Sequence, residues 1–205
     1  MGHIRRKGDW LLQERASHQG FDLTAFMKQV GDQRFPPVEK WHPDFCGDID
    51  MRIASDGTWF YMGTPIGREK MVKLFASVLR KDEDGKTYLV TPVEKIGITV
   101  DDAPFVATSV EFAGTGAELS LCFTTNVGDV IVAGEGHPIR VEVDEVSGEP
   151  RPYLLVRGRL EALIARSVYY ELIEKGDIED SAGLSRCSIK SNSVRFSLGE
   201  WPAKE

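Results

Sequence analysis

The chain has 205 residues and a formal net charge of −7, with 32 acidic side chains against 25 Lys and Arg. This length accommodates one large domain or two small ones, each with its own core. The acidic balance excludes the broad basic surface that holds nucleic acid or anionic membranes by charge alone. We therefore expect no nucleic-acid polymer and no membrane among its partners.

The cysteines and the hydropathy pattern predict a soluble cytoplasmic protein. Cys46, Cys122 and Cys187 are odd in number and far apart, which fits reduced thiols better than a disulfide framework. No segment has the apolar core of a signal peptide or the roughly 18 apolar residues of a membrane-spanning helix.

The first residues predict an N-terminal arm, 1–21, followed by a short helix. Asp22 is suited to cap that helix, apolar residues follow at helical spacing, and Gly31 ends it. The run Phe35-Pro36-Pro37 cannot continue a helix and leads into an extended connector.

Residues 46–80 carry the clearest pattern, a hairpin followed by a helix. In the first strand apolar and charged side chains alternate, which sends them to opposite faces. The core set is Ile49, Met51 and Ile53, and the opposite set is Asp48, Asp50 and Arg52. Asp56-Gly57 supplies the positive φ of a tight turn. Thr64 is predicted to cap the helix, with Pro65 as its first residue.

The second half of the chain predicts a sheet-rich domain that repeats this unit. Strands at 88–91 and 95–100 are followed by strands at 105–112, 119–125, 129–133 and 139–146, separated by glycines as in hairpin-connected antiparallel sheets. A strand at 153–156 and a helix from Leu160 to Gly176 then match the first unit at an offset of 94. The matching pairs are Phe60/Leu154, Met62/Val156, Ile66/Leu160, Leu74/Val168 and Leu79/Ile173.

We interpret the chain as an α+β protein with a duplicated hairpin-helix motif in two domains, 22–95 and 96–205, the second closed by a hairpin over 184–198. A chance coincidence of apolar positions is the alternative.

Five blocks of sequence resemble the domain of unknown function 1285 family of bacterial proteins. They are GDIDMRI, DGTWFYMGTPIGRE, YLVTPVEKIGITVDDAPFVA, FTTN and PYLLVRGRLEALIARSVYYEL, and the resemblance extends over residues 41–172. It implies a two-domain α+β protein whose second domain is loosely similar to a pleckstrin-homology fold. It also implies a cleft between the domains that binds a nucleotide-like ligand in signal transduction.

The candidate phosphate-binding residues are arginines next to helix starts. Arg68 lies in the first turn of the first predicted helix, and Arg157 and Arg159 stand at the equivalent part of the second. Helix N-termini and guanidinium groups both bind anions, so the two starts together could hold a phosphate between the domains. Alternatively, these arginines pair with acidic residues of the other domain and fix the interface.

Other candidate ligand contacts are the polar residues of the linking segment TPVEK, Thr91, Glu94 and Lys95, because irregular backbone frees polar groups for binding. The alternative for these three is a structural hinge. Tyr61 and Trp59 could stack on a planar base, as could Tyr169 and Tyr170, although such rings are more often packed in a core.

Asp50 could orient a ligand together with Asp48 and Arg52. A solvated strand face with a local ion pair is the alternative for that set.

No complete catalytic motif, phosphate-binding loop or metal-ligand cluster occurs, so we predict no catalytic residue, no metal site and no cofactor. The first hypothesis is a sensory module with a nucleotide-like anion in its cleft. The second is a protein-interaction module that uses the N-terminal arm, and the third is an enzyme acting on a phosphorylated small molecule.

Overall fold

The computed structural model describes residues 35–203 apart from the side chain of Ala117. These residues form an α+β structure that consists mainly of strands, with two α-helices and two short 3₁₀ helices, Val38–Lys40 and Gly116–Glu118. The predicted N-terminal arm and the helix expected after Asp22 lie outside the described residues.

Six strands and one helix form the first domain. The strands are β1 Phe45–Ile53, β2 Trp59–Tyr61, β3 Thr64–Pro65, β4 Leu79–Lys81, β5 Thr87–Val90 and β6 Lys95–Val100, and the helix is α1 Glu69–Ser77. The sheet order is β3-β2-β1-β6-β5-β4, and β1 and β6 are its parallel pair. The predicted domain boundary after residue 95 falls at the start of β6, which pairs with β1 and β5 in this sheet.

The predicted alternation along β1 is confirmed, because Met51 and Ile53 are buried while Asp50 is exposed. The tight turn is confirmed as well. Gly57 has a φ of +83°, and the Asp56 carboxylate accepts a hydrogen bond at 2.8 Å from the backbone N–H two residues further on. The backbone preferences of Asp56 and Gly57 therefore account for the turn at this position.

The prediction that Thr64 caps the first helix is wrong. Thr64 and Pro65 form β3, which pairs with β2, and α1 begins at Glu69 with Arg68 in the N-cap position. The two residues before β3 both have positive φ and turn the chain back onto β2. The backbone at Thr64 and Pro65 therefore pairs with β2, instead of forming the first turn of the predicted helix.

A second six-stranded sheet forms the core of the second domain. Its strands are β7 Phe105–Ala113, β8 Ser120–Thr125, β9 Val130–Val132, β10 Ile139–Val143, β11 Pro150–Arg157 and β12 Leu160–Ile164. Their order is β10-β11-β12-β7-β8-β9, and β12 runs parallel to β7. The predicted succession of strands is confirmed, with hairpins joining β7 to β8 to β9 and β10 to β11 to β12. A hairpin between β9 and β10 is not formed, because these strands lie at opposite edges of the sheet.

The prediction that the second helix starts at Leu160 is wrong, because residues 160–164 are β12 and the helix is α2 Arg166–Lys175. Leu160, Ala162 and Ile164 are buried in alternation, which is the period of a strand. Arg157 and Arg159 therefore lie in and after β11, outside any helix start, and Arg166 is the arginine that opens α2.

Three antiparallel strands follow α2 and complete the second domain. They are β13 Asp177–Ser181, β14 Leu184–Ser191 and β15 Val194–Pro202, in that order in the sheet. The closing hairpin predicted over 184–198 is confirmed by β14 and β15. The buried side chains of both domains form one continuous hydrophobic cluster, from Val38 to Leu198.

We predict that Trp59→Ala lowers the free energy of unfolding by about 3–5 kcal/mol. The Trp59 ring is 1% exposed and stacks on Phe75 of α1, with ring centroids 6.0 Å apart. Urea denaturation followed by circular dichroism measures the loss. Trp201→Ala is the control: Trp201 is 37% exposed, so its loss should stay below about 1 kcal/mol. Equal losses in the two variants would contradict the packing described here.

Candidate functional site

A cleft of about 590 Å³ lies between the two domains. The first domain contributes Ser55 and Asp56 from the turn between β1 and β2, and the second contributes residues between 144 and 152 and the first turns of α2. Small-molecule sites commonly have volumes of about 300–1,000 Å³ and often lie between domains. The cleft is therefore the candidate functional site.

Two arginines line the cleft, and each is paired with a carboxylate. Arg166 lies 3.0 Å from Glu149, and both side chains are more than half exposed. Arg151 donates to Asp102 at 2.7 Å, and Asp102 also accepts a hydrogen bond from the Tyr153 hydroxyl at 2.7 Å. Burial and this hydrogen bond raise the pKa of Tyr153 to about 12. Arg151 is thus held in a partly buried network, whereas Arg166 is accessible to a ligand.

Two acidic residues of the cleft serve the turns that carry them. Asp144 Oδ1 accepts hydrogen bonds from the backbone N–H of Ser147 at 2.7 Å and of Val146 at 3.0 Å. Asp56 accepts the turn hydrogen bond described above. These bonds lower the pKa of both carboxyl groups, because they favour the ionised form. Both carboxylates therefore carry charge at neutral pH.

Two tyrosines of α2 line the cleft in different ways. The Tyr169 hydroxyl donates to the carbonyl of Leu198, and the Tyr169 side chain is buried against β15. Tyr170 is 60% exposed. The Tyr170 ring is consequently available to stack on a planar group, while Tyr169 packs in the second domain.

Asn126 joins the cleft-lining turn to the second domain. Its Nδ2 lies 3.4 Å from the Gly57 carbonyl, and its Oδ1 accepts a hydrogen bond from the Val106 N–H at 3.0 Å. A Cβ at Gly57 would come within 2.5 Å of that Nδ2. Gly57 therefore provides both the positive φ of the turn and the close approach of the domains, and it positions Asp56 at the cleft.

Arg157, predicted to bind phosphate, lies at the other end of the domain junction. Its guanidinium donates to the carbonyl of Ala76 in the last turn of α1 and to Asp129 at 3.1 Å. Its charge also lies over the Phe105 ring, 5.0 Å from the centroid. Burial lowers the pKa of Arg157, against the opposing effect of Asp129. The residue thereby links α1 of the first domain to the sheet of the second.

Arg159 reaches across the same junction at the surface. It donates to Glu83 of the first domain at 2.9 Å, and both side chains are more than half exposed. Exposed ion pairs of this kind contribute little stability.

Arg68 and Tyr61 lie together at a second cavity, in the first domain. This cavity, of about 310 Å³, is called the α1 groove here and is lined by Met51, Tyr61, Thr64, Pro65, Ile66, Gly67, Arg68, Met71 and Phe75. Asp50 is exposed on β1, and its carbonyl accepts a hydrogen bond from the Met62 N–H at 2.9 Å.

Thr91, Glu94 and Lys95 form the connection between β5 and β6. The buried Thr91 hydroxyl accepts a hydrogen bond from the Glu94 N–H at 3.0 Å, and the Thr91 N–H donates to the Glu94 carbonyl at 2.9 Å. Lys95 Nζ lies 3.2 Å from Asp82 and 4.7 Å from the centroid of the Tyr88 ring. In this structure the three residues stabilise a turn of the first domain.

The eight predicted ligand residues are therefore spread over separate parts of the structure, and none of them lines the interdomain cleft. Arg68 and Arg157 lie at opposite ends of α1, roughly 12 Å apart along its axis. The sequence does contain a signal for the cleft: the alternation of Leu160, Ala162 and Ile164 moves the start of α2 to Arg166.

Within residues 35–203, no three His, Cys, Asp or Glu side chains are placed to hold a metal ion together. Neither described helix is long and apolar enough to cross a membrane. The three cysteines are all free.

The fold and the cleft define a two-domain α+β protein with a candidate ligand site at the domain junction. The chain belongs to the DUF1285 family: the model of the N-terminal domain of unknown function matches residues 36–103, and that of the C-terminal domain matches residues 104–198. The family models describe domains of unknown function and assign no ligand.

Two solved structures are similar to this chain. A DUF1285 family protein from Silicibacter pomeroyi DSS-3 is 54% identical, with a TM-score of 0.77 over 83% of this chain and 91% of that one. A DUF1285 family protein from Shewanella baltica OS155 is 28% identical, with a TM-score of 0.50 over 62% of this chain and 92% of that one. A search of curated proteins found no match.

We predict that Arg157→Ala lowers the free energy of unfolding by about 1.5–3 kcal/mol, because it removes the charged hydrogen bonds of a partly buried arginine to Asp129 and to the carbonyl of Ala76. Arg157→Lys should give an intermediate loss, since an ammonium group cannot reproduce the planar fork that reaches both acceptors. Urea denaturation of the full chain measures both changes.

Arg159→Ala is the matched control, because this arginine also crosses the junction but is 54% exposed. Its loss should stay below about 1 kcal/mol. If Arg157→Ala were as mild as Arg159→Ala, Arg157 would have no structural role at the junction.

Proposed function

We propose that this protein is a ligand-binding module with a role in signal transduction, and that it binds a nucleotide-like anion in the interdomain cleft. The observation that carries this proposal is the combination, in one cleft of about 590 Å³, of an accessible arginine at a helix start and an exposed tyrosine ring. A helix start with an arginine suits a phosphate, and the ring suits a base.

The phosphate is proposed to contact Arg166 and the free N–H groups of α2. No side chain caps this helix, so its first N–H groups remain available to an anion. Glu149 holds Arg166 in the absence of ligand, and the phosphate replaces that carboxylate. Displacing Glu149 costs little, because an exposed ion pair is worth only about 0–1 kcal/mol.

The base is proposed to stack on Tyr170, on the same helix as Arg166. Stacking of a base on an aromatic side chain contributes about 1–3 kcal/mol and tolerates different bases. Arg68, Arg157 and Arg159, proposed as phosphate ligands from the sequence, are replaced in this role by Arg166. The change is supported by the contacts of Arg157 and Arg159 with the first domain.

A signalling role follows if the ligand favours one arrangement of the two domains. The cleft is lined by both domains, so a bound ligand would contact Ser55 and Asp56 on one side and α2 on the other. A ligand that contacts one arrangement better than another shifts the population toward it. The three free cysteines support the proposed cytoplasmic location, where thiols stay reduced.

The order of elements supports an internal duplication, which we also propose. The hairpin of β2 and β3 precedes α1 and three strands, and the hairpin of β11 and β12 precedes α2 and three strands. In both cases the three strands that follow the helix are neighbours that pair antiparallel with one another. The loose pleckstrin-homology similarity of the second domain remains a prediction.

We predict that a nucleotide raises the melting temperature of the full chain by roughly 5–10 °C when present at a hundredfold excess over its Kd. A thermal-shift panel of mono-, di- and cyclic nucleotides, with and without divalent cations, identifies it. Arg166→Gln should weaken binding at least about tenfold, because a charge-assisted hydrogen bond is lost. Glu149→Gln should tighten it about two- to fivefold, because a competing carboxylate is removed.

Arg186→Gln is the matched control for Arg166→Gln. Arg186 is similarly exposed and pairs with Glu200 at 3.3 Å, but it lies on β14 outside the cleft. The Arg186→Gln protein should bind the nucleotide with the same affinity as the unmodified protein. A shift that survives Arg166→Gln and disappears in Arg68→Gln would move the nucleotide to the α1 groove, and a flat panel would contradict the proposal.

A further inference from the structure

The α1 groove differs from the cleft in its chemistry. Its floor is formed by Met51 and Phe75, each 1% exposed, and its walls include the half-buried Ile66 and Met71. Methionine side chains adapt their shape to an apolar ligand. The groove and the interdomain cleft have no lining residue in common.

One cation, Arg68, lies at the rim of this groove, and it forms no ion pair within the described residues 35–203. Nine of the ten arginines between residues 35 and 203 form an ion pair with Asp or Glu, and Arg68 is the tenth. The nearest acidic residue along the chain, Glu69, is engaged by Lys73 at 2.6 Å. The guanidinium of Arg68 is therefore available to an anion from outside.

The backbone adds to this positive potential. Arg68 is the N-cap of the nine-residue helix α1 and offers no side-chain cap, so the first N–H groups of α1 remain available. The groove thus presents one anion-binding end and one apolar surface. A nucleotide does not fit this arrangement, because the lining supplies few polar groups for its sugar and base.

We propose that the α1 groove binds an aliphatic monocarboxylate, with the carboxylate on Arg68 and the alkyl chain along Met71, Ile66 and Met51. The cavity of about 310 Å³ has room for about ten groups of methylene size, if each takes the ~30 Å³ of a water molecule in the liquid. A chain of about ten carbons therefore fills it. This site is independent of the nucleotide proposed for the cleft.

The experiment is a calorimetric titration of the full chain with hexanoate, octanoate and decanoate, each below its micelle concentration. Affinity should rise about fourfold for each added methylene, because each one leaves water for an apolar surface. Decylammonium, with the opposite charge and the same chain, should show no saturable binding. Decylammonium binding as tight as that of decanoate would overturn the proposal, as would the absence of decanoate binding.

Two variants test the two halves of the site. Arg68→Gln should weaken the binding of decanoate at least about tenfold. Lys70→Gln changes a cation two residues further along the chain that does not line the groove, and it should leave decanoate binding unchanged. Gly67→Phe should abolish binding. A Cβ at Gly67 meets no atom within 4 Å and its φ is not left-handed, so this lining position accepts a bulky ring without backbone strain.

Gly136→Phe is the control for Gly67→Phe, because a Cβ at Gly136 also meets no atom within 4 Å and Gly136 is not among the residues that line the groove. Circular dichroism verifies that each variant is folded, and sedimentation gives its oligomeric state. Decanoate binding that survives both Gly67→Phe and Arg68→Gln would overturn the proposal. So would a change from dimer to monomer in Gly67→Phe, because a second copy of the chain would then occupy the groove.

Discussion

The relative position of the two domains depends on the contacts of one guanidinium. Arg157 places a positive charge at the C-terminal end of α1, where carbonyl groups lack helical partners and the helix dipole is negative. Asp129, a residue of the second domain, pairs with this charge, and the Phe105 ring lies against the face of the guanidinium. Because these partners come from both domains, the guanidinium ties α1 to the second domain.

The cleft is a consequence of this junction. At one end Arg157 holds α1 against the second domain, and at the other Asn126 contacts the carbonyl of Gly57. The turn at Gly57 then carries Ser55 and Asp56 to the cleft wall, opposite Arg166. Two contacts within the junction therefore fix the wall of a site whose remaining residues all come from the second domain.

Local patterns allowed much of the fold to be predicted. The alternation in β1, the Asp56-Gly57 turn and the closing hairpin of β14 and β15 depend on neighbours in sequence, and the structure confirms them. Residues 160–164 were misread because Leu160, Leu163 and Ile164 fit a helical spacing as well as Leu160, Ala162 and Ile164 fit a strand. Pairing of β12 with the distant β7 decides between these alternatives.

The candidate site was less predictable, because the partners of its arginines are remote in sequence. Arg157 and the carbonyl of Ala76 are 81 residues apart, and Arg151 and Asp102 are 49 apart. No local signal separates an arginine that fixes an interface from one that is free to bind a ligand. The distinction between Arg157, which is partly buried in the junction, and Arg166, which is accessible at the cleft, required the three-dimensional contacts.

A crystal structure of the full chain with the nucleotide that stabilises it most is the most direct test of the proposed function. We predict phosphate oxygens about 3 Å from the Arg166 guanidinium and from the first N–H groups of α2, with Glu149 displaced and the base on Tyr170. A nucleotide bound at Arg68, or at any surface outside the interdomain cleft, would contradict it.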